Sequence, residues 1–116
     1  QVMADDCIFC MIIAGTIPAD LVDQSEDIIA FRDINPKAPV HVLVVPKVHS
    51  PDIASLSATD PQIAAELLAM TRQVAQAEGV DDYNLVFNTG AAAGQTVFHA
   101  HGHVLGGVDA SKLFLA

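Results

Sequence analysis

The sequence predicts an α+β fold: one antiparallel sheet of about five strands with one short and one long helix. Three observations carry this. Short apolar runs bounded by Gly, Pro, Asn and Asp fall on both sides of a single long amphipathic stretch. Because helices and strands do not alternate, the parallel crossovers of a doubly wound sheet are not expected. With 116 residues, 52% of them apolar, the chain fits one domain, 1–116, with a real core.

The elements follow in order. Cys7 to Ala14 reads as a brief helix stopped by Gly15. Leu21-Val22 and Ile28 to Phe31 read as short strands around the acidic turn Asp23–Asp27. Asn35-Pro36 and Ala38-Pro39 mark a loop, and Val40 to Val45, closed by Pro46, is a β-branched strand. Ser57 to Gly79 is the clearest helix, with Ile63, Leu67, Met70 and Val74 on one face. Asp60 caps it with Pro61 at the first helical position, and Thr59 with Gln62 offers an alternative capping box. Tyr83 to Asn88 and Val97 to Leu105 are the last two strands, joined by the small-residue loop Thr89–Gln95.

Fourteen Asp and Glu stand against five Lys and Arg, a formal net charge of −9. That balance argues against a nucleic-acid surface or an anionic membrane as partner. No apolar run has the roughly 18–20 residues needed to span a bilayer. The apolar start is preceded by acidic residues, unlike a secretory leader, and two cysteines make no secreted disulfide scaffold. The expected location is the cytoplasm.

Three of the five histidines fall within five residues, His99-Ala100-His101-Gly102-His103. On a strand they would share one face, with the outer two roughly 13 Å apart. One zinc is then not expected to collect all three, since its bonds to nitrogen are only about 2.0–2.1 Å long. Such a row suits separate jobs: a neutral imidazole as nucleophile, a neighbour as proton donor or holder of developing charge. The loop ahead of it, Asn88 to Thr96, brings Gly90 and Gly94, a Thr hydroxyl and an Asn amide. With so few Lys and Arg, an anion here would be met by N–H groups and imidazolium.

These residues carry a family resemblance. Gly94 to Gly107, with His99-Ala100-His101-Gly102-His103-Val104-Leu105 at its centre, resembles the histidine-triad (HIT) signature His-φ-His-φ-His-φ-φ, where φ is apolar. Phe31 to Pro36, Ala38-Pro39-Val40-His41 and Val45-Pro46-Lys47-Val48-His49 are similar to the Hint branch, the nucleoside phosphoramidases, in type and order. The resemblance implies a HIT-like fold whose sheet extends across a homodimer, and hydrolysis at the α-phosphate of purine nucleoside phosphoramidates and related AMP derivatives. It makes His101 the nucleophile of a nucleotidyl-histidine intermediate. His103 then touches the phosphate and the leaving-group side, and His41 supports the row from behind. Asp33 is implied as the ribose acceptor and Ile34 as a wall of the base pocket. Asn88, Gly94, Gln95 and Thr96 fall where the family binds phosphate. The pattern implies no redox cofactor and no catalytic metal.

Cys7-Ile8-Phe9-Cys10 is a CxxC, which by itself reads as a redox pair, half of a metal site or two core thiols, though a thioredoxin-like pair needs a βαβ context that this start lacks. His49 is a candidate third ligand. Similarity to HIT proteins that carry this CxxC implies one structural zinc on Cys7, Cys10, His49 and His99. Two departures stand out. Gly102 occupies a φ position, and the tail after Gly107 has neither the Arg nor the Trp of the Hint pattern. Rival readings are a dinucleoside polyphosphate hydrolase or nucleotidyl transferase of the same family, and a non-catalytic nucleotide-binding or metal-binding regulatory protein.

Overall fold

A computed structural model of the chain describes residues 6–109 and 111. The order is α1 (Ile8–Ala14), β1 (Leu21–Gln24), β2 (Ile28–Arg32), β3 (Val40–Pro46), α2 (Ile53–Thr59), α3 (Pro61–Ala77), β4 (Tyr83–Val86) and β5 (Gly102–Gly106). All pairings are antiparallel and the spatial order is β1-β2-β3-β5-β4. The expected α+β architecture with a five-stranded antiparallel sheet is what forms.

Side-chain alternation divides the sheet into two working faces. Ile28, Ala30, Val42, Val44 and Val104 pack with Leu56 of α2 and Leu67, Met70 and Val74 of α3. Ile29, Phe31, Leu43 and Val45 pack on the other side with Cys7 and Phe9 at the start of α1. Leu67 is wholly buried in the first cluster. Leu67→Ala is expected to lower unfolding free energy by about 2–5 kcal/mol, read from the urea midpoint.

Local chemistry explains the boundaries. The Cys7 sulfur accepts the Cys10 N–H at the front of α1, and Gly15 closes it in the left-handed region at φ 79°. The expected single helix from Ser57 is two helices instead. Asp52 caps α2 by accepting the Ser55 N–H at 2.7 Å, while Asp60 caps α3 by accepting the Ile63 N–H at 3.2 Å with Pro61 just inside. Pro61 excludes the helical conformation at the residue before it, so the chain turns at Asp60. The Thr59–Gln62 capping box does not form; the Thr59 hydroxyl donates to the Ser55 carbonyl.

Two strands are shorter than expected. β4 stops at Val86, and β5 starts at Gly102 rather than Val97. The β3 partner of β5 ends its pairing at Val44, opposite Gly102. Beyond that point the Ala100 N–H donates to the Ser50 carbonyl at 2.7 Å, which carries residues 97–101 off the ladder. Among the described residues no helix is long and apolar enough to cross a membrane. Of the atypical tail, residues 110 and 112–116 lie outside the described residues.

Candidate active site

The histidines gather on the α1 side of the sheet. His41 alternates with Leu43 and Val45 along β3, and His103 is registered opposite Leu43, so both share the face that α1 covers. His99 and His101 precede β5. The expected straight row of three therefore does not exist: only His103 lies on the strand. The bend brings the rings closer than a strand would, with His101 and His103 centroids 5.0 Å apart. It also turns the buried His99 toward α1, where Phe9 meets His99 and His101 edge-on.

Hydrogen bonds assign a tautomer to each ring. A carbonyl only accepts, so His101 donates from Nδ1 to the His99 carbonyl at 2.7 Å. A neutral His101 then keeps its lone pair on Nε2. A backbone N–H only donates, so His41 Nδ1 accepts from Lys37 at 3.0 Å. Neutral His41 must carry its proton on Nε2, which donates to His103 Nδ1 at 2.9 Å with the Asp33 carboxylate 3.5 Å away. That leaves the His103 proton on Nε2. Burial lowers the pKa of His41 and His101, and burial with the neighbouring imidazoles brings His103 down to about 4. The three rings are neutral near pH 7, the state in which a nitrogen nucleophile works.

A cavity of about 340 Å³ opens beside His101 and His103, with His41 off its wall. Asp33, Thr96, His101 and His103 supply its polar wall, while Phe9, Ile12, Ile17, Phe31 and Leu43 make most of the rest apolar. Ile34 also lines it, yet stands 89% exposed at its mouth. The apolar wall from α1 and the following loop was not legible in the sequence, where Phe9 and Ile12 look like ordinary core residues. Asp33 accepts the Asn35 N–H through Oδ1, which fixes the carboxylate at the end of β2. Arg32, just before it, is paired with Glu78 at the end of α3 and with Asp20, so the strand end is held from both sides.

The loop before the histidines is braced from within. Gln95 is buried; its Oε1 accepts the Gly90 N–H at 2.8 Å, and its Nε2 donates to the Pro51 and Val97 carbonyls. Asn88 Nδ2 donates to the Ala93 carbonyl, and Gly94 turns the chain at φ 96°. Thr96 is the member of this group that reaches the cavity wall; Asn88, Gly94 and Gln95 shape the loop behind it.

A second cluster lies under α1. His99 Nδ1 is 3.4 Å from the Cys7 sulfur, 3.5 Å from the Cys10 sulfur and 3.1 Å from His49 Nδ1, and Cys10 sulfur to His49 Nδ1 is 3.3 Å. All four ligand atoms lie within 4.8 Å of one another. Around a tetrahedral zinc with ordinary bond lengths, such edges measure about 3.3–3.8 Å. The protonation fits as well. His99 donates from Nε2 to the Pro46 carbonyl at 2.8 Å, so its Nδ1 lone pair points into the cluster. Burial, helped by the neighbouring Cys7, pushes the Cys10 thiol up to about 11, so a cation is what would make thiolates stable there. Asp33, His41 and His103 also converge within metal-ligand reach. There the donor set does not fit, because His41 Nε2 carries a proton toward its neighbours.

The HIT domain signature matches residues 14–110 of this chain. The chain belongs to the HIT family. This HIT protein is 40% identical to a purine nucleoside phosphoramidase of Escherichia coli over 107 residues, 90% of each chain. It is 42% identical to a 14 kDa zinc-binding protein of Zea mays, over 86% of this chain and 80% of that one. Among solved structures it is similar to a HIT family hydrolase from Clostridium thermocellum, with a TM-score of 0.87, 43% identity, and coverage of 90% of this chain and 93% of that chain. Kinship with HIT hydrolases and a phosphoramidase supports nucleotide hydrolase activity for this chain.

Proposed function

We propose that this HIT protein hydrolyses purine nucleoside 5′-phosphoramidates, releasing AMP or its purine counterpart through a covalent intermediate on His101. The observation that carries the reading is the 2.7 Å bond from His101 Nδ1 to the His99 carbonyl, which leaves Nε2 free on a ring that lines the cavity. The apolar wall accepts the base, with Ile34 at its mouth, and the Asp33 carboxylate accepts ribose hydroxyls. The α-phosphate then lies among His101, His103 and Thr96, on the loop shaped by Asn88, Gly94 and Gln95.

The bond from Nε2 to phosphorus forms as the phosphorus–nitrogen bond breaks, and the amine leaves with a proton drawn from solvent. The intermediate is a cationic nucleotidyl-imidazolium, and the His99 carbonyl on Nδ1–H stabilises that charge. His103 directs Nε2–H at a phosphoryl oxygen, because His41 holds its Nδ1 as an acceptor. Water then attacks phosphorus, restoring the lone pair of His101 and returning the proton to solvent. One water is consumed overall.

Zinc on Cys7, Cys10, His49 and His99 is part of the proposal, with a structural role: it pins α1, and with it the Phe9 wall, to the bend that carries His101. The protein is proposed to act in the cytoplasm as a homodimer whose sheets join, which light scattering tests by giving twice the 12.2 kDa chain mass.

Incubating the protein with adenosine 5′-phosphoramidate and following AMP tests the activity. No release above buffer would end the proposal. Asp33→Ala is expected to raise KM about tenfold with a smaller change in kcat, since the lost bonds to ribose are made in ground and transition states alike. Release of a mononucleotide from a dinucleoside polyphosphate, with none from the phosphoramidate, would favour the other family activity.

A further inference from the structure

Gly102 sits between the proposed nucleophile and His103, where an apolar side chain would normally stand. Its backbone does not demand glycine: it is absent from the residues at positive φ. What it lacks is room. A Cβ on Gly102 would lie 2.7 Å from both Cε1 and Cζ of Phe87, closer than such contacts occur. Phe87 is partly buried against the cluster of β2, β3 and β5 residues beneath α3. Its chain leaves the ladder directly after Val86, which is registered opposite His103. Gly102 itself is registered opposite Val44 at the last rung between β3 and β5. The ring therefore fills the missing side chain's place from the strand next door, on the opposite side of β5 from His103.

We propose that Phe87 is a positioning residue for catalysis: its ring, seated on the bare Cα of Gly102, sets the backbone between His101 and His103. The physical reason is leverage. Immediately before Gly102 the ladder ends and the chain bends, so no β3 hydrogen bond guides His101. The nearest packed contact on the core side is the Phe87 ring. A displacement of Gly102 carries both imidazoles with it, and about 1 Å of misplacement can cost on the order of 100-fold in rate. Large Phe at 87 and Gly at 102 are thus one complementary pair, and either residue changed alone breaks it.

The proposal rests on the activity proposed above, so its test has two readouts. Gly102→Val, Phe87→Ile and the double variant are compared with the parent for kcat and KM on adenosine phosphoramidate. The histidine ring ¹⁵N signals report the tautomers of His101 and His103 without substrate. Gly102→Val is expected to lower kcat at least tenfold while KM stays within about twofold, because Asp33 and the apolar wall lie on other elements. The double variant is expected to recover to within about threefold of the parent, with parental ring signals. Gly102→Ala, which adds one carbon, supplies the same comparison if the valine variant does not fold. Parental kcat in Gly102→Val or Gly102→Ala would overturn the proposal. So would a folded double variant no faster than the single one. A parent that releases no AMP would end the proposed activity alone, and the ring signals would still decide whether the pair sets the histidines.

Discussion

His101→Ala is expected to release AMP from adenosine phosphoramidate at least about 10³-fold more slowly than the parent, with an unchanged far-ultraviolet dichroism spectrum. The size of the effect follows from the step removed. Without Nε2 the proposed covalent intermediate would not form, and water would have to displace the amine directly in a site arranged for an imidazole. The variant keeps Asp33, Thr96 and the apolar wall, so it still binds AMP. Acid-quenched mass spectra are expected to show a nucleotidyl adduct on the parent and none on the variant. An adduct on another side chain, or parental turnover by the variant, would remove His101 from its proposed place.

Loss of the proposed zinc is expected to have the second largest effect. Metal analysis is expected to find about one zinc per chain, and Cys7→Ser to abolish stable binding. The melting temperature is then expected to fall by about 10 °C or more, because a structural zinc contributes directly to folding. α1 has only seven residues, too few to persist by itself, and the cluster is its main polar tie to the sheet. Turnover is expected to fall as well, through geometry: His99 presents Nδ1 to the cluster and its backbone carbonyl to His101. A chelator-treated protein with parental melting temperature and freely titrating thiols would count against the site.

Asp33, Thr96, His101 and His103 were legible through the family resemblance that the histidine spacing carries, and they line one cavity. The Cys7, Cys10, His49 and His99 set was likewise implied by the resemblance, and its members, up to 92 residues apart in the chain, meet. The bend at 97–101 was not legible. Alternating residues from Val97 to Leu105 read as a strand, and the Ser50 carbonyl that draws Ala100 away has no mark in that stretch. The break at Asp60 was half legible: the cap and Pro61 were recognised, but α2, with its Asp52 cap in Ser50-Pro51-Asp52, was merged into the longer helix.

Periodicity, caps and motif spacing are local properties of the chain, and they made the fold class and all of the element order except α2 legible, while the family resemblance supplied the roles expected of individual side chains. Which nitrogen of each imidazole carries a proton was decided only by the tertiary structure. It depends on the backbone carbonyls of Pro46 and His99, a group every residue offers, and on the Lys37 N–H, which every residue but proline offers. The glycine among the histidines is of the same kind. Residue 102 alone looks like a gap in the signature; beside Phe87, fifteen positions away, it is the half of a fitted pair that must stay small.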